Sequence, residues 1–404
     1  MGRKMATSEL VALLSDREDQ TPPGRIVRAL SERGTLSASQ IANVTGLAKS
    51  TVSTTLNALR KSGIVVEGGS LENGRSIGAG RPATALTLNP RAGTCIGIGI
   101  GLFHIQLIVA DLAHTILSDQ SRTLAADYTP EEALATIEAL LVESYADPQL
   151  SRDAVLGVGV AIAGPVNPQD GRILRGGGLP TWAGLDIRQL VEPLFDCPIF
   201  ADNESNCAAI AEMMWGSAQG HEDFVLFKLD LGVGGAIVSH GRVITGVAGA
   251  AGEFGHMSID PEGDLCRCGN RGCLELTASF VRPLEMASRR FGYALQIADV
   301  IARAQGGDVG CRRLIEDTAE AAGRGLGIIC ATVNPGLIVI GGSMARAGDM
   351  LLGPLAASYE KHALVKSTDV PGVARTRIVA GTFARSDACL GAVGLVLRHH
   401  NRLG

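Results

Sequence analysis

The chain has 404 residues, of which 46% are hydrophobic and only 4% aromatic, with 52 glycines and a net charge of −5. This length accommodates two or three domains with sizeable cores, and the glycine-rich, aromatic-poor mixture suits an α/β protein with many tight strand-to-helix turns. No apolar run is long enough to cross a bilayer and residues 1–10 lack a signal-type apolar segment, which argues against membrane and export classes and predicts a cytoplasmic protein.

The charge is uneven. Residues 1–90 hold 11 Lys/Arg against 7 Asp/Glu, whereas the remainder holds 25 against 34. A mildly basic head on an acidic body fits a head that meets nucleic acid. After an arm of residues 1–20, expected to be flexible, Thr21-Pro22-Pro23 is a helix start, with Thr as cap and Pro tolerated in the first turn. Ile26, Val27 and Leu30 form the buried face. Ser37-Ala38-Ser39-Gln40 is a capping box that opens a short helix carrying Ile41, Ala42 and Val44, which stops at Gly46. A third helix runs from Lys49 to Lys61 and ends at Gly63. Val52, Leu56 and Leu59 make its apolar stripe, and Lys49, Ser50, Thr51, Ser53, Thr54 and Asn57 make a short polar face. Helix, short helix, turn and polar-faced helix constitute a helix-turn-helix over residues 21–90, with side chains suited to base edges and phosphates in a major groove. Strands at 64–67 and 84–88 with a glycine-rich tip between them add a wing, which would bring Arg81 to a minor groove. A helical cap used for protein contacts is the plainer alternative.

Further on, Thr94–Gly101 and Phe103–Leu112 read as apolar strands. Asp202-Asn203-Glu204 precedes a helix that starts near Ser205. Asn203 offers a donor and an acceptor suited to a pair of hydroxyls, or it caps that helix. Leu229–Ala236 and Ile338–Ser343 are glycine-rich turns after strands. Between them, Gly252–Glu275 places His256, Cys266, Cys268 and Cys273 within eighteen residues, a complete tetrahedral set for one structural zinc per chain. Gly263, Gly269 and Gly272 let the backbone close around an ion. Glu253 and Glu275 flank the ligands, either as site carboxylates or merely as partners of the metal loop. The other cysteines, Cys95, Cys197, Cys207, Cys311, Cys330 and Cys389, read as reduced core thiols. The small residues of 318–333 read as close helix packing or a subunit contact.

C-R-C-G-N-R-G-C-L-E at 266–275, with E-F-G-H at 253–256, resembles the ROK family, which unites bacterial repressors and sugar kinases. The resemblance implies an α/β, two-lobed, actin-like (ribonuclease H-like) sugar-kinase fold, with lobes at 91–200 and 201–404 and a zinc loop at 253–275 beside a sugar pocket. G-R-P-A-T at 80–84 is similar to the winged head of the family's repressors, which its kinases lack. By resemblance the pocket comprises Gly164, Asn203, Glu204, Glu253, His256 and Glu275, with His256 giving one nitrogen to zinc. The kinase parts depart from the pattern. Gly99, Leu102 and Phe103 stand where the first phosphate turn has Asp, Gly and Thr. Asp230 and Leu231 alter the second loop, Glu204 replaces the catalytic Asp, and Gly178 replaces a sugar-contacting Asn. Phosphoryl transfer needs cradle, metal and base together.

The expectation is a non-enzymatic, sugar-responsive DNA-binding regulator, a repressor of carbohydrate metabolism, acting as a homodimer or homotetramer on duplex operator DNA. A neutral sugar is expected as effector, because acceptors are dense and few cations are near. An ATP-dependent sugar kinase with an extra head, or a regulator controlled by a protein partner, are the alternatives.

Overall fold

A computed structural model describes residues 10, 13, 21–68, 84–125, 127–167, 169–174, 179–365 and 375–399. The arm 1–20 (apart from Leu10 and Leu13), the wing tip with Arg81, and Gly178 lie outside the described residues.

Helix α1 (Pro22–Arg33) starts where Thr21 Oγ1 accepts the Gly24 N–H at 3.2 Å. Strand β1 (Leu36–Ser37) leads into α2 (Ala38–Thr45), whose capping box is complete: Ser37 Oγ accepts from Gln40 N, and Gln40 Oε1 from Ser37 N. Ile41, Ala42 and Thr45 form the buried stripe of α2. Val44 is off that stripe and 41% exposed. Gly46 closes the helix in the left-handed region at φ 65°, and the Arg25 guanidinium donates to the Thr45 carbonyl. Helix α3 (Lys49–Lys61) buries Val52, Leu56 and Leu59 as its periodicity requires. Strands β2 (Val65–Glu67) and β3 (Ala85–Leu88) pair antiparallel. The two residues of β1 also pair with β3, which makes a three-stranded sheet of order β1-β3-β2.

By its contacts the chain forms two compact units, one of residues 1–162, 184–202 and 389–404, the other of 163–183 and 203–388. The linear boundaries drawn from the sequence therefore differ from the packing. The helix-turn-helix groups with the first lobe, and the segment carrying Gly164 groups with the second.

The first unit holds a five-stranded sheet of order β6-β5-β4-β7-β8. Its strands are β4 (Thr94–Ile100), β5 (His104–Asp111), β6 (Ile116–Thr123), β7 (Val155–Ile162) and β8 (Ile199–Asn203). All residues of β4 are buried, as expected of a central strand covered on both faces. Helix α4 (Pro130–Ser144) packs on β5 and β6, and α5 (Ile187–Val191) follows. Gly97 and Gly159 are direct neighbours on β4 and β7. A Cβ at either would run into a backbone carbonyl of the chain's last helix, that of Cys389 or of Ala392.

The second unit opens with α6 (Glu204–Trp215) and builds a sheet of order β11-β10-β9-β12-β13 from β9 (Phe224–Leu229), β10 (Val233–Ser239), β11 (Arg242–Ile244), β12 (Leu337–Gly341) and β13 (Arg377–Ala380). Between β11 and β12 come α7 (Glu275–Ala278), α8 (Val281–Phe291), α9 (Ile297–Gln305) and α10 (Val309–Val333). Helix α11 (Asp349–His362) precedes β13, and α12 (Asp387–His399) closes the chain. Side chains alternate along β9. Val225, Phe227 and Leu229 join the large core with Ile315, Leu326 and Leu355, while Phe224 and Leu226 join Ala208 and Ala209 under α6. The small residues of α10 serve close packing within the chain, since a Cβ at Gly323 would meet the Leu355 carbonyl and one at Gly325 the Leu274 side chain.

Substituting Gly159 by Ala should lower the melting temperature of the full chain. The obstacle is backbone, and overpacking of this kind costs about 1–3 kcal/mol. An unchanged thermal denaturation curve would contradict this packing.

Candidate functional site

The polar face read from the sequence of α3 is displayed: Lys49, Ser50, Ser53, Thr54 and Asn57 are exposed and Thr51 is half-buried. Ala48 precedes the helix without a side-chain cap, so the first-turn N–H groups of α3 lack the side-chain acceptor that α1 and α2 have. Lys49 and open N–H groups at a helix start are the combination that suits a phosphate oxygen.

In the second unit, the loop after β11 brings a ring nitrogen of His256 and the Sγ atoms of Cys266, Cys268 and Cys273 within 4.8 Å of one another. Cys268 and Cys273 sulfurs lie 3.6 Å apart, and Cys266 Sγ lies 3.7 Å from His256 Nδ1. A tetrahedron with metal–sulfur bonds of about 2.3 Å has edges of about 3.8 Å, so this donor set fits one thiolate-bound metal ion. Gly272, at φ 58°, leaves no room for a Cβ against the Asp260 carbonyl, which allows the tight closure.

The loop's carboxylates converge with the strand-to-helix junction after β8. Asn203 Oδ1 caps α6 by accepting from Ser205 N at 2.7 Å and Asn206 N at 3.4 Å. Its Nδ2 donates to the Gly164 carbonyl at 2.8 Å and reaches Glu253 Oε1 at 3.5 Å. The helix cap and the contacts with Gly164 and Glu253 are thus made by one side chain. Glu253 is pushed up to about 7 by burial, then by the carboxylates of Glu204 and Glu275, with Arg267 opposing. Near neutrality it can therefore donate a proton as well as accept one. Glu275 is gripped by Arg267, Nε to Oε1 at 2.9 Å and Nη2 to Oε2 at 3.1 Å, and Oε2 also accepts from Val233 N. His256 donates its backbone N–H to the Glu253 carbonyl. The structure thus brings Gly164, Asn203, Glu204, Glu253, His256 and Glu275 into one neighbourhood.

Sequence reasoning missed the cations. Lys228, on the α6 face of β9, has its Nζ 3.4 Å from Glu204 Oε2 and 3.6 Å from Asp387 Oδ1. Burial opposes its charge, but Asp387, Glu204 and Asp230 outweigh it and hold the ammonium above its usual range. Asp387 is pushed up to about 6, chiefly by burial, with Lys228 pulling the other way. The two directions agree, because one ammonium is shared among three carboxylates. Asp387 Oδ2 accepts from Gly342 N, and Asp230 Oδ2 from Ser343 N at 2.9 Å. The signal in the sequence was a lysine inside the apolar run Phe224–Leu229.

The sequence profile of the ROK family matches residues 95–399. The chain belongs to the ROK family. A second profile, bacterial regulatory protein of the arsR family, matches residues 25–66 and so covers the helix-turn-helix. Among ROK relatives, the chain is 28% identical over 378 residues to a xylose repressor of Bacillus spizizenii, covering 93% of this chain and 94% of the relative. It is 27% identical over 401 residues to the DNA-binding transcriptional dual regulator NagC of Escherichia coli, covering 95% and 96%. A ROK glucokinase from Streptomyces griseus, solved with glucose and AMPPNP, superposes with a TM-score of 0.68 at 25% identity, covering 75% of this chain and 99% of that one. A ROK transcriptional regulator described as a homologue of the E. coli MLC protein superposes at 0.69 with 24% identity, covering 99% and 96%, and shares the fold along the whole length. The architecture is therefore an N-terminal helix-turn-helix followed by the ROK actin-like kinase fold. No helix among the described residues is long and apolar enough to cross a membrane, and none of the nine cysteines, all of them among the described residues, is in a disulfide.

Purified wild-type protein should carry about one metal ion per chain, and replacing Cys268 by Ser should remove it or strongly weaken its binding. Elemental analysis of purified wild-type and variant protein checks this, and full occupancy in the variant would disprove the ligand set.

Proposed function

We propose that this chain is a sugar-responsive transcriptional repressor that binds a neutral sugar without phosphorylating it. One observation carries the reading. Relatives that match over 93–95% of the chain are named xylose repressor and N-acetylglucosamine repressor, whereas the glucokinase covers 75% of it. A polar, uncapped α3 in the first unit and a carboxylate-rich cluster in the second supply the two binding surfaces such a protein requires.

The metal is zinc, held by His256, Cys266, Cys268 and Cys273. A closed four-ligand site is structural, and its role here is to fix the loop from which Glu253, His256 and Glu275 project. Glu253 and Glu204 accept sugar hydroxyls, Glu253 in its protonated form also donates, and Asn203 holds the Gly164 turn against them. Both cations are already paired, Arg267 with Glu275 and Lys228 with Asp387 and Glu204, which supports a neutral ligand over a sugar phosphate. Loss of kinase chemistry is supported in each unit. In the first, the space beside Gly99 is filled by Cys389 Sγ. In the second, Asp230 occupies the Ser343 N–H, a backbone donor suited to an anion.

On the DNA side, α3 enters the major groove, with Lys49, Ser50, Thr51, Ser53 and Thr54 at the backbone and Asn57 at a base edge, and Arg81 in the wing reaches a minor groove. Paired heads of a homodimer or homotetramer read a near-palindromic operator. Sugar regulates only through different affinities for two body conformations. The protein functions in the cytoplasm.

Replacing Lys49 and Arg81 together by Ala should weaken operator binding and lower the slope of log affinity against log salt by about one for each phosphate no longer neutralised. A fluorescence titration at several salt concentrations measures this, and an unchanged slope would rule out the assigned DNA face.

Glu253→Ala should leave sugar-free operator binding intact and abolish the effect of sugar on it. Calorimetry with xylose, glucose and N-acetylglucosamine, alongside their phosphates and a coupled assay for ATP consumption, supplies the test. Tighter binding of a sugar phosphate than of its parent, turnover of ATP by the wild type, or undiminished sugar binding by the variant would each overturn the reading.

A further inference from the structure

Lys228 lies between two glycines. Its cross-strand partner on β10 is Gly234 and on β12 is Gly341. Directly paired residues share a sheet face, so the face of β9 that carries Lys228 has a bare strip on either side. Two helix starts come down onto that strip. A Cβ at Gly234 would meet Ser205 Oγ, in the first turn of α6, and a Cβ at Gly341 would lie 3.5 Å from Asp387 Oδ2, the first residue of α12. Glu204 likewise opens α6. Carboxylates belong at helix N-termini, and here two of them meet one buried ammonium. The Lys228 side chain is 10% exposed, that of Asp387 3% and that of Glu204 32%.

The three carboxylates around Lys228 are held differently. Asp387 accepts backbone N–H groups from Gly342 and Ala388, and Asp230 accepts them from Leu231 and Ser343. Glu204 is held by Lys228, and it is the more exposed of the two carboxylates bridged by that ammonium. It is also the one of the three close enough to Glu253 to raise that carboxyl. Without the ammonium, Glu204 would face the buried Asp387 uncompensated and its long side chain would turn away toward water.

We infer that Lys228 is a positioning residue of the sugar pocket, holding Glu204 Oε2 so that the rest of that carboxylate is presented, in one place, to a ligand hydroxyl. This rests on the reading of the pocket as a sugar site. A buried charge pair can also serve fold stability alone, so the test must separate action through Glu204 from general loosening.

The experiment is calorimetry on the full-length, metal-replete protein with xylose, glucose and N-acetylglucosamine, for wild type, Lys228→Met, Lys228→Arg, Glu204→Gln and the double variant Lys228→Met/Glu204→Gln. Loss of a charge-assisted hydrogen bond predicts binding weakened by about ten- to a hundredfold in Lys228→Met, with most of the affinity retained in Lys228→Arg. If Lys228 acts through Glu204, the double variant binds within about twofold of Glu204→Gln alone. The double variant removes one charge of each sign, so it decides the matter even where Lys228→Met does not fold. Wild-type affinity in Lys228→Met, or a double variant clearly weaker than Glu204→Gln, overturns the inference while leaving the sugar site standing. Absence of binding of any of these sugars by the wild type overturns the sugar reading, and this inference with it.

Discussion

The bare strip beside Lys228 governs the arrangement of the second unit's site. A side chain at Gly234 would run into Ser205 Oγ and push the start of α6 off the strand, whereas a Cβ at Gly341 would press on the Leu226 side chain and only touch Asp387 Oδ2; without Glu204 and Asp387 beside it the lysine would be a buried charge without its bridged carboxylates. An unpaired buried ammonium is costly enough that it would lose its proton or force the fold open. With both glycines in place, the two helix starts supply the compensating carboxylates, and one of them belongs to the pocket. The first unit uses the same device for another purpose. Gly97 and Gly159 are also side by side, but there the strip receives the backbone of the last helix.

The pocket has a second fixed point in Asn203. One amide caps a helix, holds the Gly164 turn and touches Glu253, so three separate segments are registered by a single side chain. The metal loop then fixes Glu253 and Glu275 from the other direction, and Arg267, which lies between two cysteine ligands, ties Glu275 down in a bidentate pair. The polar groups here are held in place by one another, which on the proposed reading lowers the ordering cost of binding a sugar.

What was legible in the sequence was what is local. The Ser37–Gln40 capping box, the stripe Val52, Leu56, Leu59 and the Cys-x-Cys-x4-Cys loop each lie within one or two turns of chain, and each formed as read. The family motifs named Glu204, Glu253 and Glu275, which the structure brings close together. What was not legible depends on pairing across distance. Strand β1 is two residues long and exists only because β3 runs beside it. Lys228 and Asp387 are far apart in sequence, and nothing near either residue names the other. The linear lobe boundaries failed to follow the packing because the chain leaves each unit and returns.

The turn at Gly342 and Ser343 has one more consequence. In a phosphate-binding protein such N–H groups wait for an anion from solution. Here both are satisfied from within, by Asp387 and Asp230, and the carboxylates are covalently tethered at an effective concentration no dissolved nucleotide reaches. If the proposed loss of nucleotide binding holds, the response of such a protein would follow the supply of its sugar and ignore the energy charge of the cell, so a starved cell with little ATP would still register the arrival of a new carbon source.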